Sequence, residues 1–392
     1  MKNNKFLRYY YSHHFFKDFV LLYPVYMLLF ESKGLSVFDI SLLMIIWSIP
    51  VFILEIPTGI LADRWNRKYM VVLGMAFKAI ALFFWLIAEG FILFAIGLVF
   101  WGIQETFCSG STQALLFDQL KTHGQSLEYE RIAGKSRFYS GTGIAMSMLS
   151  GGYVASVSFE LATWVSIFST IIALLLATQF KEAKREEQEV THWLEYKTAL
   201  LLGIKKCKSN RNILLVLLFS SLIAIVPGIL EEYDQLYAER IGLTIGLIGV
   251  WGAIRTGIEA LGNRFAYKVR NRFNTVNRIC ILSLIGGIFL FIAVHYKTLY
   301  LLPLYALFFF LISGGYVLAE SMLQREITSR ERATILSLNV FLMHLSALVL
   351  LSGFTIISRF GGLQAGFKLM AIYTILVSAA FMLITRKNKS KP

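Results

Sequence analysis

The stretch Gly59-Ile60-Leu61-Ala62-Asp63-Arg64-Trp65-Asn66-Arg67-Lys68 decides the fold. It reads as a polar, strongly charged turn between two hydrophobic runs, 38–60 and 69–88. Each run is long enough to cross a bilayer, which takes about 20 mostly apolar residues. A turn this short makes the two spans antiparallel neighbours. Asp63, Arg64, Arg67 and Lys68 bring charge between membrane helices and call for partners elsewhere in the chain.

Working outward, the 392-residue chain is 56% hydrophobic, 15% aromatic and only 16% charged, with mean hydropathy +0.63. A soluble protein carries about 25% charged residues, so most of this chain lies out of water. Twelve candidate spans follow one another: 13–31, 38–60, 69–89, 91–117, 136–156, 159–180, 211–238, 244–265, 276–295, 298–323, 333–357 and 363–385. The longest interruption, 181–210, divides them into two groups of six. The expected fold is an all-α membrane protein with twelve transmembrane helices in two pseudo-symmetric six-helix bundles, 1–180 and 211–392. A cytoplasmic linker, 181–210, joins them. Within it a charged tether at 181–189 precedes Trp193, Tyr196, Leu200 and Ile204, whose helical spacing predicts an amphipathic helix lying on the inner membrane surface. The polar start, 1–12, leads into a span with no small-residue cleavage site and reads as a retained first helix.

The net charge of +14 invites a nucleic-acid reading, which fails on distribution. With the N-terminus in the cytoplasm, the inward segments hold thirty Lys and Arg, whereas the outward loops hold four: Lys33, Arg240, Lys297 and Arg359. This positive-inside bias puts both termini in the cytoplasm and assigns the basicity to membrane topology. The expected partners are therefore the lipid bilayer, a small-molecule substrate and protons, with no nucleic acid, on a monomeric chain. Cys108, Cys207 and Cys280 have no CxxC pairing, and His13-His14 stands alone, so neither a disulfide framework nor a metal site is expected. No nucleophile–base set, HExxH, phosphate loop or dinucleotide fingerprint is present. No catalytic residue, cofactor or enzymatic activity is expected.

The two halves echo each other. Gly34-Leu35-Ser36 precedes span two, and Gly242-Leu243-Thr244 precedes span eight, 208 residues later. At the same offset Asp63-Arg64 falls on Asn271-Arg272, so the loop 267–275 reads as a degraded copy of the opening turn. Internal symmetry of this kind marks transporters whose substrate site lies near the midplane between the repeats. Ionisable groups in spans cost about 2.5–3.5 kcal/mol each at a helix centre on insertion scales, and normally face a cavity or a partner. Acids recur on spans one, four, seven and ten: Asp18 beside Lys17; Glu105, with Asp118 near the inner end; Glu231, Glu232 and Asp234; and Glu320. Arg255 and Glu259, four apart on span eight, form a candidate pair. Lys78 reads as a snorkelling or paired lysine, and His344 as a packing residue. Glu105 is the foremost candidate to take up and release protons. It lies mid-span in Trp101-Gly102-Ile103-Gln104-Glu105-Thr106-Phe107-Cys108-Ser109-Gly110-Ser111, a polar, small-residue stretch suited to a water-filled cavity. Glycines at 141, 143, 151 and 152 of span five allow close helix approach.

With these residues in hand, the chain resembles the major facilitator superfamily. The signature after span two there is Gly-x-Leu-Ala-Asp-Arg-x-Gly-Arg-Lys, and this chain departs from it only at Asn66. Asn tolerates a left-handed backbone next best after Gly, so the turn is expected to survive. The run 55–59, the segments 109–111 and 117–120, and Arg332-Ala333-Thr334 resemble a bacterial branch described as drug-efflux-like permeases. The resemblance implies a multi-pass protein of the bacterial cytoplasmic membrane, in which two bundles rock about a site lined by spans one, four, seven and ten. It also implies a cytoplasmic gate of Gly59, Asp63, Arg64, Arg67 and Asp118. Asp63 would face the start of span eleven, where the helix dipole favours an acid, and Arg67 or Arg64 would meet Asp118. Span five lacks the proline of the family's antiporter signature.

The expected function is proton-coupled export of small amphipathic or cationic compounds by alternating access. Glu105 would be the coupling group, with Asp18 and Glu320 shaping the site. The alternatives are proton-coupled uptake of a nutrient or lipid-like metabolite, and a non-transporting membrane receptor.

Overall fold

A computed structural model describes residues 4–182, 210–327 and 329–387. Among them all regular structure is helical. The helices are α1 (Asn4–Asp18), α2 (Tyr26–Ser32), α3 (Val37–Arg64), α4 (Arg67–Leu86), α5 (Phe91–Cys108), α6 (Ser111–Thr122), α7 (Tyr129–Val157), α8 (Phe159–Thr178), α9 (Arg211–Ile223), α10 (Ile225–Arg240), α11 (Ile245–Val269), α12 (Val276–Tyr296), α13 (Leu302–Glu326) and α14 (Ser329–Lys387), with short 3-10 turns at Ser126–Glu128 and Leu299–Leu301. The chain divides into two compact units, Met1–Thr191 with Thr244–Ala253, and His192–Leu243 with Ile254–Pro392. The linker helix expected at 193–204 lies outside the described residues.

Nine helical segments among the described residues are long and apolar enough to cross a membrane. The difference from twelve has physical causes. Span one is broken into α1 and α2, and α7 is diluted by its Gly and Ser residues. The last segment holds two spans. At 1.5 Å per residue, the 59 residues of α14 would run to about 90 Å, roughly three times the hydrocarbon core. The helix kinks at Gly362 (φ 65°), and the rings of Phe354 and Phe367 lie 6.1 Å apart, where a straight helix would hold them about 20 Å apart. Its two limbs therefore fold against each other.

The internal echo is visible in the backbone. Before α3, Gly34 (φ 86°) accepts the left-handed conformation, with Leu35 N–H donating to Phe30 O and Gly34 N–H to Glu31 O. Before α11, Gly242 (φ 104°) repeats this, with Leu243 N–H donating to Ala238 O and Gly242 N–H to Glu239 O. Both are Schellman caps, in which a glycine past the helix end lets two orphan carbonyls be satisfied. Ser36 then starts α3 through a reciprocal capping box with Asp39.

The opening turn is shorter than the sequence suggested. Residues 59–64 still belong to α3, and only Trp65 and Asn66 lie between α3 and α4. Asn66 is not left-handed. It sits at φ −71°, ψ 115°, and its side chain accepts from Tyr69 N–H, which makes it the N-cap of α4. The turn survives because Asn suits the cap. Glu182 completes this helix start: its carboxylate accepts from Arg67 N–H at 3.1 Å and Lys68 N–H at 3.0 Å, a negative charge at the positive end of the helix dipole.

In the first unit α1 packs on α7 and α8, α3 and α4 on α5, and α4 on α8. The close approach of span one to α7 runs over glycines: a Cβ on Gly143 would stand 2.5 Å from Phe15 O, and one on Gly151 would overlap Leu21 O. In the second unit α12 packs on α13 and α14, and α9 on α13 and α14. The measurement that checks the α1–α7 contact is the melting temperature of detergent-solubilised protein. Gly151→Leu should destabilise by at least about 1–3 kcal/mol through overpacking. Gly141→Leu, on the same helix with nothing within 4 Å of its Cβ position, should be close to neutral.

Candidate functional site

The first unit carries its charge around the break in span one. α1 stops at Asp18, and the chain stays non-helical until Tyr26. A helix end leaves its last four carbonyls without partners in the helix, and lipid offers none. Here all four are satisfied. Phe15 O accepts from Phe19 N–H (2.9 Å) and Asp18 O from Val20 N–H (3.1 Å). Phe16 O accepts from Ser169 Oγ of α8 (2.7 Å), and Lys17 O from Lys78 Nζ of α4 (2.7 Å).

Lys78 does not snorkel, contrary to one reading of the sequence. It is 2% exposed, in the interior of α4. Its ammonium also donates to Tyr23 Oη in the broken segment (2.9 Å) and lies over the rings of Tyr23 (5.3 Å) and Trp101 (4.9 Å). Asp18 is buried, accepts a short hydrogen bond from Ser140 of α7, and stands 3.7 Å from Lys17 Nζ.

Glu105 lies one helical turn beyond Trp101, just before the chain breaks again between α5 and α6 at Ser109 and Gly110 (φ 69°). Its side chain is exposed within the unit and lies within electrostatic reach of Glu55, Lys78 and Lys17. Glu55 of α3 is also exposed and accepts from Ser109 Oγ at 3.2 Å. In the sequence Glu55 reads only as part of the run 55–59 and not as an interior charge, because it sits in the last third of a long apolar run.

The second unit gathers its charge on Arg255, which is 1% exposed. Glu231 (2.6 Å) and Asp234 (2.9 Å) of α10 and Glu259 (3.4 Å) of α11 surround the guanidinium, and Phe309 of α13 stacks on it at 4.6 Å. Ser313 Oγ donates to Glu259 at 2.7 Å. The pair expected from helical spacing, Arg255 with Glu259, is therefore the longest of three contacts. Glu231 and Asp234 stand three apart on one face of α10 and turn inward to the arginine. Glu232, beside them, is half-buried, and Glu320 is half-buried on α13 near Tyr316.

At the opening turn Arg67 meets Asp118, with Nη1 2.5 Å from the carboxylate. The backbones of Asp63 and Arg64 form the last turn of α3, and their side chains lie outside the described residues. Gly59 has open space at its Cβ position. Among the described residues no group of His, Cys, Asp and Glu is arranged to hold a metal ion.

Comparison with known proteins agrees with this architecture. The chain superposes on a solved nucleoside transporter, NupG, with a TM-score of 0.73 at 16% identity, covering 97% of this chain and 99% of that one. It superposes on a bacterial homologue of the human lysosomal transporter Spinster with a TM-score of 0.70 at 16% identity (97% and 95% covered). A bacterial homologue of the iron transporter ferroportin gives 0.71 at 14% identity (96% and 97%). At these identities the likeness speaks for the fold. Among curated proteins, none matches the chain in sequence. The profile of the Major Facilitator Superfamily matches residues 15–351, and the chain, a membrane-spanning transporter by fold, belongs to that superfamily.

Proposed function

We propose that this transporter exports small amphipathic or cationic compounds in exchange for protons, by alternating access of its two units. The observation that carries the reading is the charge balance of the two interior clusters. Around the break in span one, Lys17 and Lys78 face Asp18, Glu55 and Glu105. In the second unit, Arg255 alone faces Glu231, Asp234 and Glu259. With every group ionised, both clusters are net negative at membrane depth. Uncompensated charge in a poorly polarisable medium is costly, so such a site favours protons or a cationic guest. Glu105 suits the coupling role because its side chain is exposed, stands beside a second carboxylate, and forms no ion pair among the described residues. Asp18 and Glu320 shape the site, and Glu232 lies next to the Arg255 cluster. The interruptions in spans one and four supply the irregular backbone on which transporters of this kind build their sites.

Under the same reading, Gly59, Asp63, Arg64, Arg67 and Asp118 form a cytoplasmic gate, with the Arg67–Asp118 bridge as its described half. The basic inward segments favour a bacterial cytoplasmic membrane location with both termini inside. The chain acts as a monomer. Proton-coupled uptake is the second reading. It is favoured by the fold shared with a nucleoside transporter, and the direction of flux under an imposed gradient separates the two.

In proteoliposomes with an imposed pH gradient, ethidium, used as a lipophilic cation, should move against the proton flux and dissipate the gradient. Glu105→Gln should abolish this coupled movement; coupled movement that survives the substitution removes Glu105 from the role, and absence of flux with any ligand that raises the melting temperature would favour a receptor. Asp63→Asn should stop flux while leaving folding and ethidium binding largely intact, and normal flux would remove the gate. Arg255→Met leaves Asp234 buried without its cation and should cost about 3–5 kcal/mol of stability. Addition of Asp234→Asn should recover part of that loss, as read by thermal unfolding.

A further inference from the structure

The helix of span one stops at Asp18, and residues 19–25 are not helical. Two neighbouring helices send a side chain to cap carbonyls at this stop. From α8 it is the hydroxyl of Ser169, on Phe16 O at 2.7 Å. From α4 it is the ammonium of Lys78, on Lys17 O at 2.7 Å. A neutral hydroxyl therefore suffices to cap a carbonyl at this break. A buried lysine is an expensive substitute, which points to a task beyond capping.

The surroundings of Lys78 indicate that task. Its ammonium is bounded on one side by span one, through Lys17 O, Tyr23 Oη and the charges of Lys17 and Asp18. On the other side lies α5, through the face of Trp101 and, one turn along the same helix face, Glu105, with Cys108 beyond. One cation thus stands between a break in the backbone and a carboxyl group on another helix. When Glu105 is ionised it competes with span one for the ammonium. When it is neutral, span one holds the ammonium alone.

We propose that Lys78 is a positioning residue that couples the charge on Glu105 to the firmness of the break in span one: neutralising Glu105 tightens the Lys78 contact with Lys17 O and Tyr23 and so stiffens the segment between α1 and α2. In transport, proton or cation binding at Glu105 would then be felt by span one without direct contact. The inference rests on the reading that Glu105 changes charge during the cycle. Its test needs no substrate, so that its failure and the failure of that reading are distinguishable.

The experiment is a double-mutant cycle read by amide hydrogen exchange of residues 19–25 in the full chain in lipid nanodiscs. Glu105→Gln should slow exchange of this segment by about fivefold, the scale of coupling between neighbouring groups. Lys78→Met should speed it and erase the Glu105→Gln response. Lys78→Arg, which keeps a charge, should retain that response. Exchange in α12, in the other unit, should stay the same throughout; acceleration there would mark a merely structural effect and overturn the proposal. An equal Glu105→Gln response with and without Lys78, or no response at all, also overturns it. Should Lys78→Met fail to fold, Tyr23→Phe, which removes one of the two oxygens holding the ammonium, should shrink the response at least about twofold, and an unchanged response refutes the coupling.

Discussion

Every backbone carbonyl at membrane depth needs a partner, and the first span of this protein is built around meeting that demand where its helix stops. The unmade hydrogen bonds at such a stop would cost several kcal/mol each in lipid. The chain meets them with two local N–H groups, a serine from α8 and a lysine from α4. The lysine is itself costly, by about 2.5–3.5 kcal/mol on insertion scales. Two hydrogen bonds from a charged donor, at about 1.5–3 kcal/mol each, and two aromatic faces are enough to offset it. The break is thus stable only as an assembly of α1, α4, α5 and α8. On its α7 side span one packs closely over Gly143 and Gly151 and takes the Ser140 hydrogen bond on Asp18.

The two units solve the same problem with different chemistry. Their linkers before the second span are backbone copies, down to the hydrogen bonds of the Schellman caps around Gly34 and Gly242. Their first spans differ: that of the first unit loses its helix over residues 19–25, whereas Ala224, where α9 meets α10, keeps helical dihedrals. The interior charge is arranged differently as well. In the first unit cations and acids are spread along four helices, α1, α3, α4 and α5, around a gap in the backbone. In the second, three acids converge on one arginine that is almost wholly buried. A spread-out arrangement leaves its carboxyl groups in different surroundings and lets one be neutralised without collapsing the rest. A converged one depends on its single cation, because removing the arginine leaves three acids without compensation in a low-dielectric site.

What the sequence revealed and what it hid follow from the range of the interactions. Periodicity encodes neighbours on one helix, so Arg255 with Glu259 was legible. The approach of Glu231 and Asp234 depends on the register of α10 against α11, which no local pattern records. Gly34 and Gly242 were legible because a left-handed cap demands glycine at a fixed place. The helix stop at Asp18 left weaker traces, in Lys17-Asp18 and Pro24. The role of Lys78 was illegible because its main partner is a backbone carbonyl, which has no residue identity to look for. At the opening turn the family pattern located the Arg67–Asp118 contact to within one of two arginines. The geometry of Asn66 differed from expectation, since a cap and a left-handed turn accept the same residue for different reasons.

Under the proposed function, the charge balance of the interior also bears on how a site for cations stays folded when it is empty. A net negative site must exist without its guest for part of every cycle, and in that state its acids need partners or protons. In the second unit the arginine is always present, and the cluster is never without a counter-charge. In the first unit the fixed cations are committed elsewhere, Lys78 to Lys17 O and Tyr23, and Lys17 beside Asp18. Neither Glu55 nor Glu105 forms an ion pair among the described residues. Two carboxylates at one break in a span repel each other in a poorly polarisable medium, and under the proposed function either a proton or a cationic guest seated there would relieve that repulsion within a single unit.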